Sequence, residues 1–299
     1  MKMFNPSKYG FKGNVIYKEP LSAHLTMRVG GPAALFCEPE SENDLALLLR
    51  LLREEEVAVA IIGGGSNLLA LDEGYEGCVI HIGSNLASFI IKGTSVNAGA
   101  GLSLSRLVSI TAAQGLSGLE FAVGICGSLG GAVVMNAGTP QGNLGMLIRR
   151  ARSVDLDGSR RVWEHGDLIF DYRYSSFQDS DVIITGAELE LMEGDRAEIM
   201  KAIEHFRAGR KATQPMGYPC AGSIFKNPPG DYAGRLLEMA ELKGLRIGGA
   251  VVSEVHANFI INTGKATAAD ITFLMQEMSR RVCERFGIIL EPEIRFIGG

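Results

Sequence analysis

Val57-Ala58-Val59-Ala60-Ile61-Ile62-Gly63-Gly64-Gly65-Ser66-Asn67 is an apolar run that empties into three glycines and two small polar residues. An unbroken apolar run of this length predicts a short strand buried on both faces. Glycines let backbone N–H groups converge on an anion, and the Ser and Asn side chains can add hydrogen bonds. The loop therefore reads either as a phosphate cradle or as a glycine-rich turn. It lacks the helix that follows a GxGxxG fingerprint and the Lys-Ser/Thr of a P-loop, so the type of nucleotide stays open. Just upstream, Ala34 to Glu38 predicts a strand, Ser41-Glu42-Asn43-Asp44 a capping box and Leu45 to Glu54 a leucine-rich helix. Together these make a βαβ-like unit that ends on the glycines.

From about Cys78 to Leu191 the pattern changes to short strand-like runs, such as Val79 to Ile82 and Val182 to Thr185, around a helix at Ser103 to Gln114 that Gly115 stops. Within this region Gly124-Ile125-Cys126-Gly127-Ser128-Leu129-Gly130-Gly131-Ala132, followed by Asn136-Ala137-Gly138, forms a second glycine-rich segment. Two such segments some sixty residues apart suit a long ligand such as a dinucleotide. A charged helix from Asp195 to Ala212 leads into a last module, ending before Gln214-Pro215 because the residue before proline avoids the helical region. That module contains helices near Tyr232 to Leu242 and from the Thr267-Ala268-Ala269-Asp270 cap to Phe286, then a final strand.

Three other stretches carry candidate chemistry. Cys220-Ala221-Gly222-Ser223-Ile224-Phe225-Lys226-Asn227-Pro228 sets one hydroxyl among small residues, as either a surface turn or a tight ligand site. In Asp171-Tyr172-Arg173-Tyr174 a guanidinium sits between rings and can still fork to a carboxylate. The alternation of Ile289 to Ile297 puts Glu291, Glu293 and Arg295 on one face and Leu290, Ile294 and Phe296 on the other. Arg207, Arg210 and Lys211 form a small basic patch.

The composition removes several function classes. Of 299 residues 46% are hydrophobic and 21% charged, as in an ordinary globular protein of two or three modules. A formal charge of −5 gives no global attraction to nucleic acid. The N-terminus lacks a signal-peptide core and no stretch is apolar enough to span a bilayer, which predicts a cytoplasmic protein. Cys37, Cys78, Cys126, Cys220 and Cys283 lie far apart with no CxxC pair, so they read as reduced thiols. Five scattered histidines in no metal-binding spacing predict no metal site, and Ser223 has no GxSxG elbow.

Taken together these stretches resemble the UDP-N-acetylenolpyruvoylglucosamine reductase family, nearly end to end. The resemblance runs through Leu25-Thr26-Met27-Arg28-Val29-Gly30-Gly31-Pro32-Ala33, the Gly63–Asn67 loop, the second glycine segment with Val134-Met135-Asn136-Ala137-Gly138, Tyr172-Arg173, Ala221 to Pro228, and Glu291-Pro292-Glu293-Ile294-Arg295. It implies an α+β fold: a two-subdomain FAD-binding region of the vanillyl-alcohol-oxidase type, here 1–195 with subdomains of about 1–77 and 78–195, and a C-terminal α+β substrate-binding domain, 196–299. The absence of a long insertion between Arg173 and Ser223 resembles the shorter subtype without a mobile tyrosine loop.

The resemblance implies FAD and NADPH as cofactors, and reduction of the enolpyruvyl double bond of UDP-N-acetylglucosamine enolpyruvate in peptidoglycan synthesis, with its links to cell shape, division and the cell cycle. On that footing Ser223 is the proton donor, and Arg173 and Glu293 stabilise the enolate-like intermediate. Gly63, Gly64, Gly65, Ser66, Asn67, Leu68, Gly124, Ile125, Gly127, Ser128, Gly131, Asn136, Gly138 and Arg210 fall to the cofactors. Tyr172, Lys226, Asn227, Lys243 and His256 fall to the substrate. Two departures stand out: Cys126 replaces the proline of the usual Gly-Ile-Pro-Gly, which removes a backbone restraint, and Gly138-Thr139-Pro140-Gln141-Gly142 replaces Gly-Ala-Tyr-Gly. Another flavin oxidase or dehydrogenase on the same scaffold, or a non-catalytic nucleotide-binding protein, are the competing functions.

Overall fold

The computed structural model describes residues 4–298; the first three residues of the N-terminus lie outside them. The chain divides into two units that are interleaved along the sequence. One takes Met1–Tyr17, Leu35–Gly64 and Gly77–Ala208, the other Lys18–Ala34, Gly65–Glu76 and Gly209–Gly299. A sequential division at 195/196 differs from this, because two segments of the N-terminal third belong to the second unit. The cut at 77/78 likewise falls inside the strand Tyr75–His81.

In the first unit the strand Val59–Ile62 runs parallel to Tyr75–His81, Val59 opposite Cys78 and Ile62 opposite His81, at one end of a four-stranded sheet. It occupies the edge and only Ile62 is fully buried, so the burial on both faces that the apolar run predicts is not realised. The helix α1 (Glu42–Glu54) buries Leu45, Leu48, Leu49 and Leu52. Ser41 caps it by accepting the Asp44 N–H, but the reciprocal half of the capping box does not form: the Asp44 carboxylate accepts from the N–H groups of Lys12, Gly13 and Glu40. A second, antiparallel five-stranded sheet has the order 160–164, 148–155, 182–190, 95–99, 89–92. The helices α2 (Leu104–Ala113) and α3 (Leu129–Val134) belong to this unit, with Ser103 and Ser128 as their N-caps. Gly115, at φ +70, follows the end of α2.

The helix α4 (Arg196–Thr213) carries the chain from the first unit to the second. There α5 (Ala233–Met239), shorter than the predicted 232–242, and α6 (Ala268–Phe286) enclose a core with the three-stranded sheet 246–247, 250–252, 260–262. Thr267 and Asp270 form the predicted capping box of α6, and Asp72 adds to it by accepting the N–H groups of Ala268 and Ala269. Met27, Val29 and Leu69, from the two early segments, are buried in this same core. The final strand is shorter than its alternation suggests: it spans Arg295–Ile297, parallel to Leu68–Ala70, with Phe296 exposed and Ile297 buried. Leu290 and Ile294 are buried as the alternation predicts.

Candidate active site

The two glycine segments meet inside the first unit. A Cβ on Gly63 would stand 2.2 Å from Ser128 Oγ, and one on Gly64 would stand 2.6 Å from Gly127 Cα. These glycines are therefore required by the mutual approach of two loops as well as by any ligand. Ser128 accepts the Gly131 N–H, at 3.5 Å. Gly124 and Gly127 take φ of +74 and +129, and Ile125 and the exposed Cys126 complete the turn between them. Close by in the same unit, Thr185 is buried with no hydrogen-bond partner for its hydroxyl among the described residues. Its carbonyl accepts the Ala100 N–H, and the Ala100 carbonyl accepts the Gly130 N–H.

Arg173 sits at φ +53, a left-handed conformation that costs a non-glycine residue about 1 kcal/mol. Three groups over-determine it. Its guanidinium donates to the Gly138 carbonyl at 3.0 Å, its own carbonyl accepts from the Gln178 amide at 3.0 Å, and its guanidinium carbon lies 5.4 Å from the Tyr172 ring centroid. Asn136, buried and itself at φ +42, donates to the Asp171 carbonyl and accepts the Gly145 N–H, both at 2.8 Å. Asn136 and Gly138, read in the sequence as cofactor ligands, thus serve the arginine turn with their side chain and carbonyl.

In the second unit the chain leaves the glycine loop at Gly65, where a Cβ would lie 2.0 Å from the His24 carbonyl. Ser66 follows it. The Asn67 amide donates to the Glu293 carbonyl at 3.0 Å and its carbonyl accepts the Arg295 N–H at 2.9 Å, so this predicted cofactor ligand also frames Glu293. Leu68 opens the strand that pairs with Arg295. The Thr26 hydroxyl donates to the Cys220 carbonyl at 2.7 Å and its N–H to the Gly65 carbonyl at 3.0 Å.

Ser223 is half-buried at the start of a segment paired with the chain around Glu293. The Glu293 N–H donates to the Ile224 carbonyl at 2.7 Å, the Lys226 N–H to the Glu291 carbonyl at 2.9 Å, and Phe225 bridges Pro292. The structure thus brings Ser223 and Glu293 to adjacent positions of one short ladder. Lys226 pairs with the exposed Glu291 at 2.5 Å. Asn227 accepts the Ala233 N–H with its side chain, at 3.0 Å. Arg210 lies in the last turn of α4.

Lys243 and His256 also come together. Burial, and then the nearby Lys243 ammonium, push the His256 imidazole below its ordinary value, with Glu238 opposing. His256 Nδ1 stands 3.1 Å from the Asn258 N–H, which it accepts, so the neutral ring carries its proton on Nε2. A Cβ on Gly234 would lie 2.7 Å from His256 Cε1, which explains a glycine inside α5. Among the described residues no cluster of His, Cys, Asp and Glu could hold a metal ion, and no helix is long and apolar enough to cross a membrane.

The sequence motifs do not include Asn258 or Gln178, and they include Thr26 without assigning it a role. An asparagine inside the apolar run Val255 to Ile261 was the available signal for the first, since a polar side chain there must find partners.

A family profile described as "UDP-N-acetylenolpyruvoylglucosamine reductase, C-terminal domain" matches residues 214–297, and one described as "FAD binding domain" matches 33–162. The UDP-N-acetylenolpyruvoylglucosamine reductase of Moorella thermoacetica is 45% identical over 289 residues, 97% of this chain and 95% of that protein. The protein of the same name in Heliobacterium modesticaldum is 44% identical, over 96% of this chain and 92% of its own length. The crystal structure of UDP-N-acetylenolpyruvylglucosamine reductase from Thermus caldophilus matches with a TM-score of 0.82 at 37% identity, over 96% of this chain and 99% of that one.

Proposed function

We propose residue roles for a chain that belongs to the UDP-N-acetylenolpyruvoylglucosamine reductase family. It is a flavin-dependent oxidoreductase that uses FAD and NADPH to reduce the enolpyruvyl double bond of UDP-N-acetylglucosamine enolpyruvate to UDP-N-acetylmuramate in peptidoglycan synthesis. The residues present fit an FAD: two glycine segments press together where side chains would obstruct, and a buried threonine hydroxyl beside them lacks a partner among the described residues.

FAD, when bound, supplies the hydride relay between NADPH and the double bond. The loop from Gly63 through Gly64, Gly65, Ser66 and Asn67 to Leu68 would hold it, together with Gly124, Ile125, Gly127, Ser128, Gly131, Asn136 and Gly138, while Arg210 would meet a phosphate. Tyr172, Lys226, Asn227, Lys243 and His256 would hold the sugar nucleotide or nicotinamide nucleotide. Once hydride reaches the terminal carbon of the enolpyruvyl group, negative charge spreads onto the adjacent carbon and its carboxylate. Arg173 answers that charge with its guanidinium, and Glu293 is the second member of the stabilising pair. Ser223 Oγ then delivers the proton to the carbon. A hydroxyl is a weak acid, but a carbanion is a strong base, and the Lys226 ammonium would stabilise the alkoxide left behind. The observation that carries these roles is the ladder in which the Glu293 N–H meets the Ile224 carbonyl, next to Ser223.

We assign the cofactor largely to residues 1–195 and the substrate largely to 196–299. NADPH and nucleotide-activated sugars are cytoplasmic metabolites, which supports a cytoplasmic enzyme acting on small molecules, away from nucleic acid and membrane. Its product feeds wall growth, so its loss should deform cells and stop the division cycle.

Ser223→Ala tests the central role. The variant should keep its yellow flavin and its reduction by NADPH, while reduced flavin is reoxidised by UDP-N-acetylglucosamine enolpyruvate at least about 10²-fold more slowly. Unaltered turnover would reject the proton-donor assignment.

A further inference from the structure

Asn258 holds the segment that follows Ser223 by three hydrogen bonds. Its backbone carbonyl accepts the Ile224 N–H at 2.9 Å, its Oδ1 accepts the Phe225 N–H at 3.0 Å, and its Nδ2 donates to the Phe225 carbonyl at 2.8 Å. The side-chain amide therefore stands in for a peptide group of a neighbouring strand, giving Phe225 both of its ladder bonds. On the opposite edge Ile224 accepts from Glu293 and Lys226 donates to Glu291. Asn258 is 3% exposed and Phe225 2%, so water cannot replace either bond. Asn258 is itself pinned, its N–H donating to His256 Nδ1. Before the serine the chain is anchored at Cys220 and Pro219, whose carbonyls accept from the Thr26 hydroxyl and the Asn262 N–H, while a Cβ at the intervening Gly222 would meet nothing within 4 Å.

From this dense set of bonds on the residues that follow the serine we propose that Asn258 is a positioning residue for proton delivery: it sets the direction from which the Ser223 hydroxyl meets the substrate carbon. The inference rests on Ser223 being the proton donor. Proton transfer to carbon tolerates little misplacement, and an ångström of drift in the donor can cost about 10²-fold in rate. The flavin and its reduction do not depend on the serine, so the effect belongs to one half of the reaction.

The test uses the holoenzyme and rapid mixing. Asn258→Ser, which keeps the backbone bond and loses both side-chain bonds, should leave the flavin spectrum and its reduction by NADPH within about threefold of the parent. At saturating UDP-N-acetylglucosamine enolpyruvate it should slow reoxidation about 10- to 100-fold, with little change in the substrate concentration that half-saturates the step. On a Ser223→Ala background the same substitution should add almost nothing, because a positioning group has no effect once the group it positions is gone. Equal slowing on both backgrounds, or unchanged reoxidation in Asn258→Ser, would overturn the proposal and leave the serine's role intact. A Ser223→Ala enzyme that reoxidises normally would instead remove the proton-donor reading, and this inference with it. If Asn258→Ser does not fold, Asn258→Asp serves: it retains the acceptor for the Phe225 N–H and must show the same dependence on Ser223.

Discussion

The arginine turn of the first unit and the serine segment of the second are restrained in opposite ways. Arg173 is forced into a left-handed backbone and then clamped through its side chain and carbonyl by Gly138 and Gln178, with Asn136 fastening the loop before it. Ser223 is one residue past a glycine that takes the positive φ, and its restraint comes from backbone bonds on both sides, at Cys220 before it and in the ladder after it. A guanidinium on a long side chain loses direction unless its stem is held, so the turn stores strain to aim it. A short hydroxyl needs only its backbone held, and a β-ladder does that without strain.

The comparison can be broken at four points. Arg173→Lys keeps the charge and the backbone strain but loses the planar fork; substrate-dependent turnover should fall about 10²-fold while the melting temperature hardly moves. A fall in stability without loss of turnover would show that the strained turn is only architectural. Asn136→Ala leaves the Asp171 carbonyl and the Gly145 N–H without their partner. Denaturant titration should register a loss of about 2–3 kcal/mol. Gly222→Ala, at φ +76 with open space around the new methyl, should cost only about 1 kcal/mol in the same titration. A larger loss would mean that the backbone at Gly222 tolerates a side chain less well than its open surroundings imply.

The smallest effect concerns His256. Its folded value lies below the ordinary one, so as pH falls through the usual histidine range the unfolded chain takes up a proton that the folded chain refuses. Stability should therefore be full above that range and decline on acidification, levelling once the folded imidazole titrates. His256→Gln should flatten this part of a stability profile measured against pH; an unchanged slope would assign it to other groups.

The helices and their caps were largely legible because their signals are local. Ser41, Ser103 and Thr267 cap where their positions suggest, and Gly115 follows a helix end. The capping box at Asp44 failed because a carboxylate has several N–H groups to choose from, and the chain at Lys12 and Gly13 reached it. The strand 59–62 is legible in its apolar run, but its place at a sheet edge depends on pairing that periodicity does not encode.

By itself the sequence determined the longer helices, the glycine-rich loops and, through motifs in a shared order, the family and its cofactors, but not the short helix α3 inside the second glycine segment. Those follow from local backbone preference and from residue types whose spacing survives without three-dimensional knowledge. Only the tertiary structure decided that 18–34 and 65–76 belong with the C-terminal residues, that the glycines of one loop make room for the other, and that Asn67, Asn136 and Asn258 spend their amides on backbone rather than facing solvent. The physical reason is the same in each case: a buried amide or a missing Cβ has meaning only through the atoms that surround it, and those arrive from distant parts of the chain.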